Sequence, residues 1–179
     1  SERVVPTGNL QLMFHYRKPF TMTFPGQQTY VQPQSFVSGI SSRFMDATTQ
    51  GSSGVIALEF QPYGACNFFG FPLNELENRS VHLADIFAGE VRFIEEQIGE
   101  CTDAQSRINI IEKFLVEKLN PINDRDFNLV KSAVEVIMHS HGQIQSNRLA
   151  GKLAVTPKNL ERKFASLVGK SPKQFARIV

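Results

Sequence analysis

The sequence contains few cysteines and no long apolar segment. Its two cysteines, Cys66 and Cys101, lie far apart and form no C-x-x-C pair, so we expect neither a disulfide framework nor a zinc ribbon. No apolar run approaches the roughly 18 residues that a membrane helix needs, and the Ser-Glu-Arg start has no signal-peptide pattern. We therefore expect a soluble cytoplasmic protein with reduced thiols and no membrane partner.

Motifs of the common enzyme classes are also absent from the sequence. There is no nucleophile elbow, no phosphate-binding P-loop and no G-x-G-x-x-G stretch. Only His139 and His141 form a close histidine pair, and their i, i+2 spacing does not let a helix direct both rings at one metal ion. We expect no enzymatic activity, no metal site and no cofactor.

Charge is distributed unevenly, although the whole chain carries a formal charge of only +2. Nine basic and 13 acidic residues precede Pro121, whereas 10 basic and 4 acidic residues follow it, which gives formal charges of −4 and +6. A basic surplus on a short segment is typical of modules that bind nucleic-acid phosphates, and it also occurs as a simple solubility feature. The C-terminal part is therefore where nucleic-acid binding is expected.

The first part of the chain has the pattern of β-strands. Proline and glycine are frequent up to about Pro72 and cut the sequence into short β-favouring runs. Apolar residues alternate over residues 10–14, and residues 36–37 and 55–60 have the branched and aromatic bias of half-buried strands. Together these runs predict a small β barrel or sandwich.

Helical spacing of apolar residues replaces the β pattern after this point. We predict three helices, over residues 83–98, 103–120 and 126–141. Gly99 is expected to end the first, and Asp103 is expected to cap the second because aspartate is a favoured N-cap. The predicted fold class is α+β, with β strands first and helices afterwards.

The pattern divides the chain into two domains, residues 1–122 and residues 123–179. The first is predicted to be β-rich and to end with two helices, and the second is predicted to be entirely helical. The sequence has no initiator methionine and stops within a predicted helix, so we expect a fragment of a longer product.

Residues 146–168 have the spacing of two short helices that meet at a tight turn. Ser146 is expected to cap the first helix, in which Leu149 and Leu153 form the inward face. Thr156 is a good N-cap, and Pro157 suits the first helical position because its missing N–H has no helical partner there. The start of the second helix is therefore signalled twice.

The outward face of this second helix carries the residues expected to bind DNA. Lys158, Glu161 and Arg162 lie opposite the inward residues, in the half of the helix that a recognition helix inserts into the major groove. Arg162 is suited to guanine O6 and N7, Lys158 to guanine or phosphate, and Glu161 to cytosine N4 or to orienting an arginine. A solvated surface helix has the same pattern.

Phosphate contacts are expected beside this face. Ser171 opens a further helix, and Lys170 and Lys173 flank its N-terminus, where free amides and the helix dipole favour an anion. Asn159 and Lys163 are the other expected phosphate contacts. The alternative is a set of solvated lysines beside a packed helix.

The C-terminal 33 residues resemble the first helix-turn-helix and the start of the linker helix of AraC/XylS-type transcription regulators. They read NRLAGKLAVTPKNLERKFASLVGKSPKQFARIV, and the shared residues are Leu149, Ala150, Leu160, Arg162, Phe164, Gly169, Ser171, Pro172 and Phe175. Two earlier stretches, PTGNLQLMFHY and FQPYGACNFFGFPLNELENRSVHLADIF, are similar to the cupin-like sensor domain of some members. The metal-ligand pattern of metal-dependent cupins is absent.

This resemblance implies a homodimeric transcription regulator that binds double-stranded DNA. Residues 1–122 then sense a small-molecule effector or another signal and dimerise, with RNA polymerase as a further candidate partner. Ala154 departs from the family, which often has glycine in the turn; a left-handed alanine costs on the order of 1 kcal/mol. The second helix-turn-helix of the family is also missing. The alternative function is a cupin-like small-molecule binding or oligomerisation module without DNA binding.

Two features of the first domain have both a functional and a structural interpretation. Phe60, Tyr63, Phe68 and Phe69 are candidates for an apolar ligand pocket, and packing in the core explains the same cluster. The helices over residues 83–98 and 103–120 are candidates for a dimer face, and packing under the β strands explains their apolar stripes equally well.

Overall fold

The computed structural model describes residues 2–5, 7–24, 26, 29–41, 44–122 and 124–179. Its class is α+β, with two antiparallel β-sheets followed by a helical region, as the sequence predicts. Among the described residues, no helix has the length and apolar character needed to cross a bilayer.

Within the described residues, eight strands form two four-stranded sheets in which every pairing is antiparallel. The first sheet has, in spatial order, β1 (Glu2–Val4), β6 (Met45–Thr48), β3 (Thr21–Thr23) and β4 (Thr29–Val31). The second has β7 (Val55–Glu59), β2 (Gln11–His15), β5 (Ser35–Ser38) and β8 (Ser80–His82). The three predicted strands are thus confirmed as β2, β5 and β7, which are neighbours in the second sheet.

Alternation along β2 separates two environments. Leu12 and Phe14 join the apolar cluster that the helices complete, and each contributes about 1.5–3 kcal/mol by leaving water. Met13 and His15 point to the opposite face because successive side chains of a strand alternate. The period-2 pattern of the sequence therefore predicts the orientation of this strand correctly.

In the part of the chain that the structure describes, two short 3₁₀ helices (Ala65–Asn67 and Leu73–Leu76) precede β8 and seven α-helices follow it. The α-helices are α1 (Leu83–Phe87), α2 (Glu90–Glu100), α3 (Ala104–Lys118), α4 (Arg125–His139), α5 (Ser146–Lys152), α6 (Pro157–Val168) and α7 (Pro172–Phe175). The Asp103 cap is confirmed, since its carboxylate accepts from the Ser106 amide over 2.8 Å.

The prediction of one helix over residues 83–98 that ends at Gly99 is wrong. The chain breaks at Ala88, whose φ of 47° lies in the left-handed region and closes α1. Gly99 instead lies inside α2, which continues to Glu100. One helical glycine costs only about 1 kcal/mol relative to alanine, which is too little to end a helix that packs well.

One apolar cluster connects the strands with all the longer helices. It includes Leu12 of β2, Ile111 of α3, Val134 of α4 and Phe164 of α6. The boundary between residues 122 and 123 stays a prediction, and Asn123 lies outside the described residues. Because the cluster is continuous, the helices from α4 onward pack directly against the rest of the chain.

Candidate nucleic-acid interface

The segment predicted to bind DNA folds into α5 and α6, which pack against each other. Leu149 and Ala150 of α5 and Leu160 of α6 are all buried. Ala150 has the small side chain that lets a second helix approach closely. Helix α6 packs in turn against α4, so the pair is supported from behind.

A left-handed alanine forms the turn between the two helices. Ala154 has a φ of 52°, as anticipated for the position where the resembled family often has glycine. Val155 N–H donates to Ala150 O over 3.1 Å, and Ala154 N–H donates to Gly151 O over 3.2 Å. These two bonds are those of a Schellman motif, which satisfies carbonyls at the end of a helix. The turn is therefore well formed in spite of its missing glycine.

The helix starts agree only partly with the predictions. Thr156 caps α6 by accepting from the Asn159 amide over 3.3 Å, and Pro157 occupies the first turn, as predicted. Ser146 does not cap α5, because it is the first helical residue and Gln145 precedes it without a side-chain cap bond. Serine is an N-cap only with extended backbone, and here Gln145 has that conformation.

The predicted recognition face is open to solvent. Lys158, Glu161 and Arg162 are exposed and, with Thr156 and Asn159, line a shallow surface depression of about 530 Å³. Arg162 Nη2 lies 3.5 Å from Asn159 Oδ1, a weak contact that orients the guanidinium along the helix. Among the described residues, none of the three charged side chains is in an ion pair. Their charges are therefore available to a ligand.

Two of the predicted phosphate contacts have other partners. The Lys163 ammonium forms an ion pair with Asp126 at the start of α4, which ties α6 to that helix. Lys170 is only 1% exposed and donates to Glu77 Oε1 over 2.7 Å, so the prediction that it contacts phosphate is wrong. A carboxylate 93 residues earlier in the chain keeps this lysine in the interior.

The predicted phosphate clamp before α7 is not formed. Ser171 and Gln174 make a capping box, in which Gln174 Oε1 accepts from the Ser171 amide and Ser171 Oγ accepts from the Gln174 amide. The cap bonds engage amides that the clamp requires. Of the two flanking lysines, Lys173 is exposed and Lys170 is buried. Asn159 is half-buried beside the recognition face, where its side chain is next to Arg162.

Sequence reasoning left out two exposed cations of the helix pair. Arg148 and Lys152 lie on α5, and both are exposed. In the sequence, only the basic surplus of the segment after Pro121 pointed to these two residues. They add to the positive potential around the helix pair.

The aromatic cluster of the β-rich part is mostly packed core. Phe60 contacts Phe68 and Phe69 at ring-centre distances of 5.3 and 6.0 Å, and Tyr63 contacts Phe127 at 5.9 Å. These ring contacts favour the core interpretation of Phe60 and Tyr63, and their role in a ligand pocket stays a prediction.

Phe68 and Phe69 do border a groove of about 390 Å³ between the first 3₁₀ helix and α6. Cys66 and, from α6, Ser166 and Leu167 complete part of its wall. Burial raises the pKa of the Cys66 thiol to about 11, so the sulfur stays protonated and unreactive at neutral pH.

Comparison with known proteins gives one match. Residues 1–82 match the model of a domain described as a domain of unknown function, DUF6597. That domain is found at the N-terminus of AraC-type regulators. No curated protein and no solved structure matches the chain. The match covers the β-rich part through β8 and ends before the helices of the candidate interface.

Proposed function

We propose that this chain contains the sensing part and a DNA-binding unit of a sequence-specific transcription regulator. In this proposal α5 and α6 are a helix-turn-helix, and α6 is the recognition helix. The observation that carries it is that Lys158 and Arg162 are exposed, and have no ion-pair partner within the described residues, at the leading half of a helix whose other side is buried. Double-stranded DNA accepts such a helix in its major groove.

Each outward side chain has a specific role in this proposal. Arg162 donates two hydrogen bonds to guanine O6 and N7, and Asn159 holds its guanidinium in line with the helix. Lys158 contacts guanine or a phosphate nearer the helix start, and Glu161 accepts from cytosine N4. Lys173 supplies a phosphate contact beyond the helix end. Lys170 takes no part in DNA binding.

The β-rich part is proposed to be a cupin-like sensor. Its match to a domain that precedes the DNA-binding region of AraC-type regulators supports this reading. A signal at this part reaches the DNA-binding helices through the continuous apolar cluster that joins them.

A homodimer is proposed because a two-fold regulator needs a self-complementary face. Helices α2 and α3 border a groove of about 550 Å³ that includes Phe93, Ile110, Lys113 and Glu117. Phe93 is 62% exposed, and Val116 of α3 is 71% exposed. Lysine and glutamate on the same face allow opposite charges to meet across a two-fold axis.

The proposed DNA binding is tested by selection from a pool of random duplexes, followed by fluorescence anisotropy on the selected site. Arg162→Ala is expected to weaken binding by about 1–3 kcal/mol and to remove the preference for one base pair. Arg92→Ala is the matched control, because Arg92 is an exposed arginine on α2, outside the α5–α6 pair. No enriched sequence, or equal affinity of both variants, contradicts the proposal.

The exposed apolar face of α2 and α3 favours a second candidate function, an oligomerisation module without DNA binding. It predicts a concentration-dependent dimer whose duplex binding is undetectable. DNA binding through phosphates weakens steeply with salt, so a titration between about 50 and 200 mM salt separates the two functions.

A further inference from the structure

A buried lysine holds the helices after α6 against the β-rich part. Lys170 follows Gly169, the left-handed residue that ends α6. Its ammonium donates to Glu77 Oε1 over 2.7 Å, and Gln174 Nε2 donates to the same oxygen over 3.0 Å. Glu77 lies in the segment between the second 3₁₀ helix and β8. The pair therefore joins the matched domain to the helices proposed to bind DNA.

Close backbone packing extends this contact into a longer boundary between the β-rich part and the helices α6 and α7. We call this boundary the seam. A Cβ added to Gly169 would lie 3.3 Å from Leu73 O, so the end of α6 lies directly on the second 3₁₀ helix. A Cβ added to Gly8 would lie 3.5 Å from the ring of Phe175 in α7. The seam thus runs along one side of α6 and α7.

The stability of the seam depends on the Glu77 carboxylate, because this group compensates the charge of Lys170. Among the described residues, Glu77 is the only charged partner recorded for Lys170. Lys170 is the buried partner, whereas the Glu77 side chain is 31% exposed. Loss of the carboxylate is destabilising because it leaves the buried ammonium without a compensating charge. A lysine at this position regains water only if the α6–α7 junction moves away from the second 3₁₀ helix. Loss of the carboxylate is therefore expected to open the seam in particular.

The three residues that follow Glu77 border a cavity between the two sheets. Asn78, Arg79 and Ser80 line a cavity of about 300 Å³, together with Tyr30 of the first sheet and Ser38 of the second. Asn78 has a left-handed φ of 56°, so the chain turns sharply between Glu77 and Arg79. A displaced cavity wall therefore acts on the Glu77 carboxylate through a single residue.

We propose that Glu77 and Lys170 form a releasable latch between the β-rich part and the α6–α7 junction. A movement of residues 78–80 that withdraws the Glu77 carboxylate opens the seam while both parts stay folded. As a means of regulating DNA binding, the latch rests on the proposed function. As a physical device it is testable without DNA.

Cys66 provides a built-in reporter of the seam. It is 5% exposed and lines the groove that Ser166 and Leu167 of α6 complete, so a reagent reaches the sulfur when α6 moves away. The experiment uses the full chain with Cys101→Ser, and mass spectrometry follows labelling of Cys66 by N-ethylmaleimide. Glu77→Gln is expected to raise the labelling rate at least tenfold. Glu75→Gln, which alters an exposed carboxylate two residues earlier, is expected to leave the rate unchanged.

A double variant and a urea series separate release of the latch from general destabilisation. Adding Lys170→Met to Glu77→Gln removes the buried charge and is expected to return the rate close to that of the parent chain. The part of the labelling rate that Glu77→Gln adds is expected to rise only slightly with urea. Global unfolding depends on urea more steeply, because local opening exposes much less surface. Two results would overturn the latch: a Glu77→Gln labelling rate equal to that of Glu75→Gln, or a Glu77→Gln rate with the same urea dependence as global unfolding.

These results stay informative whatever the DNA measurements give. A chain that labels as expected but binds no duplex retains the latch and loses the proposed function. A chain that binds duplex but labels like the control loses the latch and retains the proposed function.

Discussion

His15 shows at the residue scale how burial affects a titratable group. The ring is 1% exposed and lies between Phe20 and Phe36, with ring-centre distances of 4.9 and 6.0 Å. Its Nε2 is 3.1 Å from Gln32 Oε1, and Nδ1 has no hydrogen-bond partner among the described residues. Burial lowers the pKa of His15, and the Gln32 contact offsets this only in part.

The lowered pKa of His15 predicts that the folded protein is less stable in mild acid. The unfolded chain takes up a proton near pH ~6.5, whereas the folded chain takes it up only at lower pH. The free energy of unfolding is therefore expected to fall as the pH drops below about 6.5 and to level off at the folded pKa. Urea unfolding between pH 5 and 7.5 measures this slope.

Two variants assign that slope to one residue. His15→Leu is expected to flatten the pH dependence of the unfolding free energy. His141→Gln, at an exposed position, is expected to leave it intact. An unchanged slope in His15→Leu would show that another group causes the acid sensitivity.

The turn between α5 and α6 is the informative feature at the scale of elements. Ala154 holds the left-handed conformation that glycine adopts without a steric penalty. Ala154→Gly is therefore expected to raise the free energy of unfolding by up to about 1 kcal/mol, or the Tm by about 2–4 °C. Thermal and urea unfolding measure the change.

Ala84→Gly is the matched control for this prediction. Ala84 is an exposed alanine inside α1, where a glycine costs about 0.5–1 kcal/mol. The two substitutions are expected to change stability in opposite directions. Destabilisation by both would show that the turn has no strain for glycine to relieve.

Signals confined to neighbouring residues predict these elements well. Asp103, Thr156 and Ser171 all cap the helices that their sequence positions indicate, because an N-cap bond needs only the next three residues. The Ala88 break was not predicted, since alanine favours helices and nothing local marks a left-handed residue there.

At the scale of the whole molecule, α2 and α3 present the apolar face proposed to join two copies. Phe93→Glu introduces a charge into the groove between these helices and is expected to weaken self-association at least tenfold, since buried unpaired charges are costly. Sedimentation equilibrium measures the effect. Val31→Glu is the control, because Val31 is 64% exposed on β4, an edge strand of the first sheet. A Phe93→Glu dimer as tight as the control places the interface elsewhere.

The candidate site illustrates why whole-molecule contacts escape sequence reasoning. Helical spacing alone predicts that Lys158 and Arg162 face outward, and the structure places them there. Lys170 has the same local character as Lys173, yet only Lys170 is buried, because folding brings Glu77 beside it. Local spacing separates the faces of one helix, whereas a partner 93 residues away depends on the complete fold.

Helix α6 ends beside the Glu77–Lys170 pair and begins beside the exposed face proposed to bind DNA. Its 12 residues span about 18 Å, from the pivot at Gly169 to the tip at Pro157. A tilt of about 10° at the pivot displaces the tip by about 3 Å, close to the ~3.4 Å rise of one base step in DNA. A rotation of about 10° is thus sufficient to move the end of α6 that is proposed to read DNA by nearly one base step.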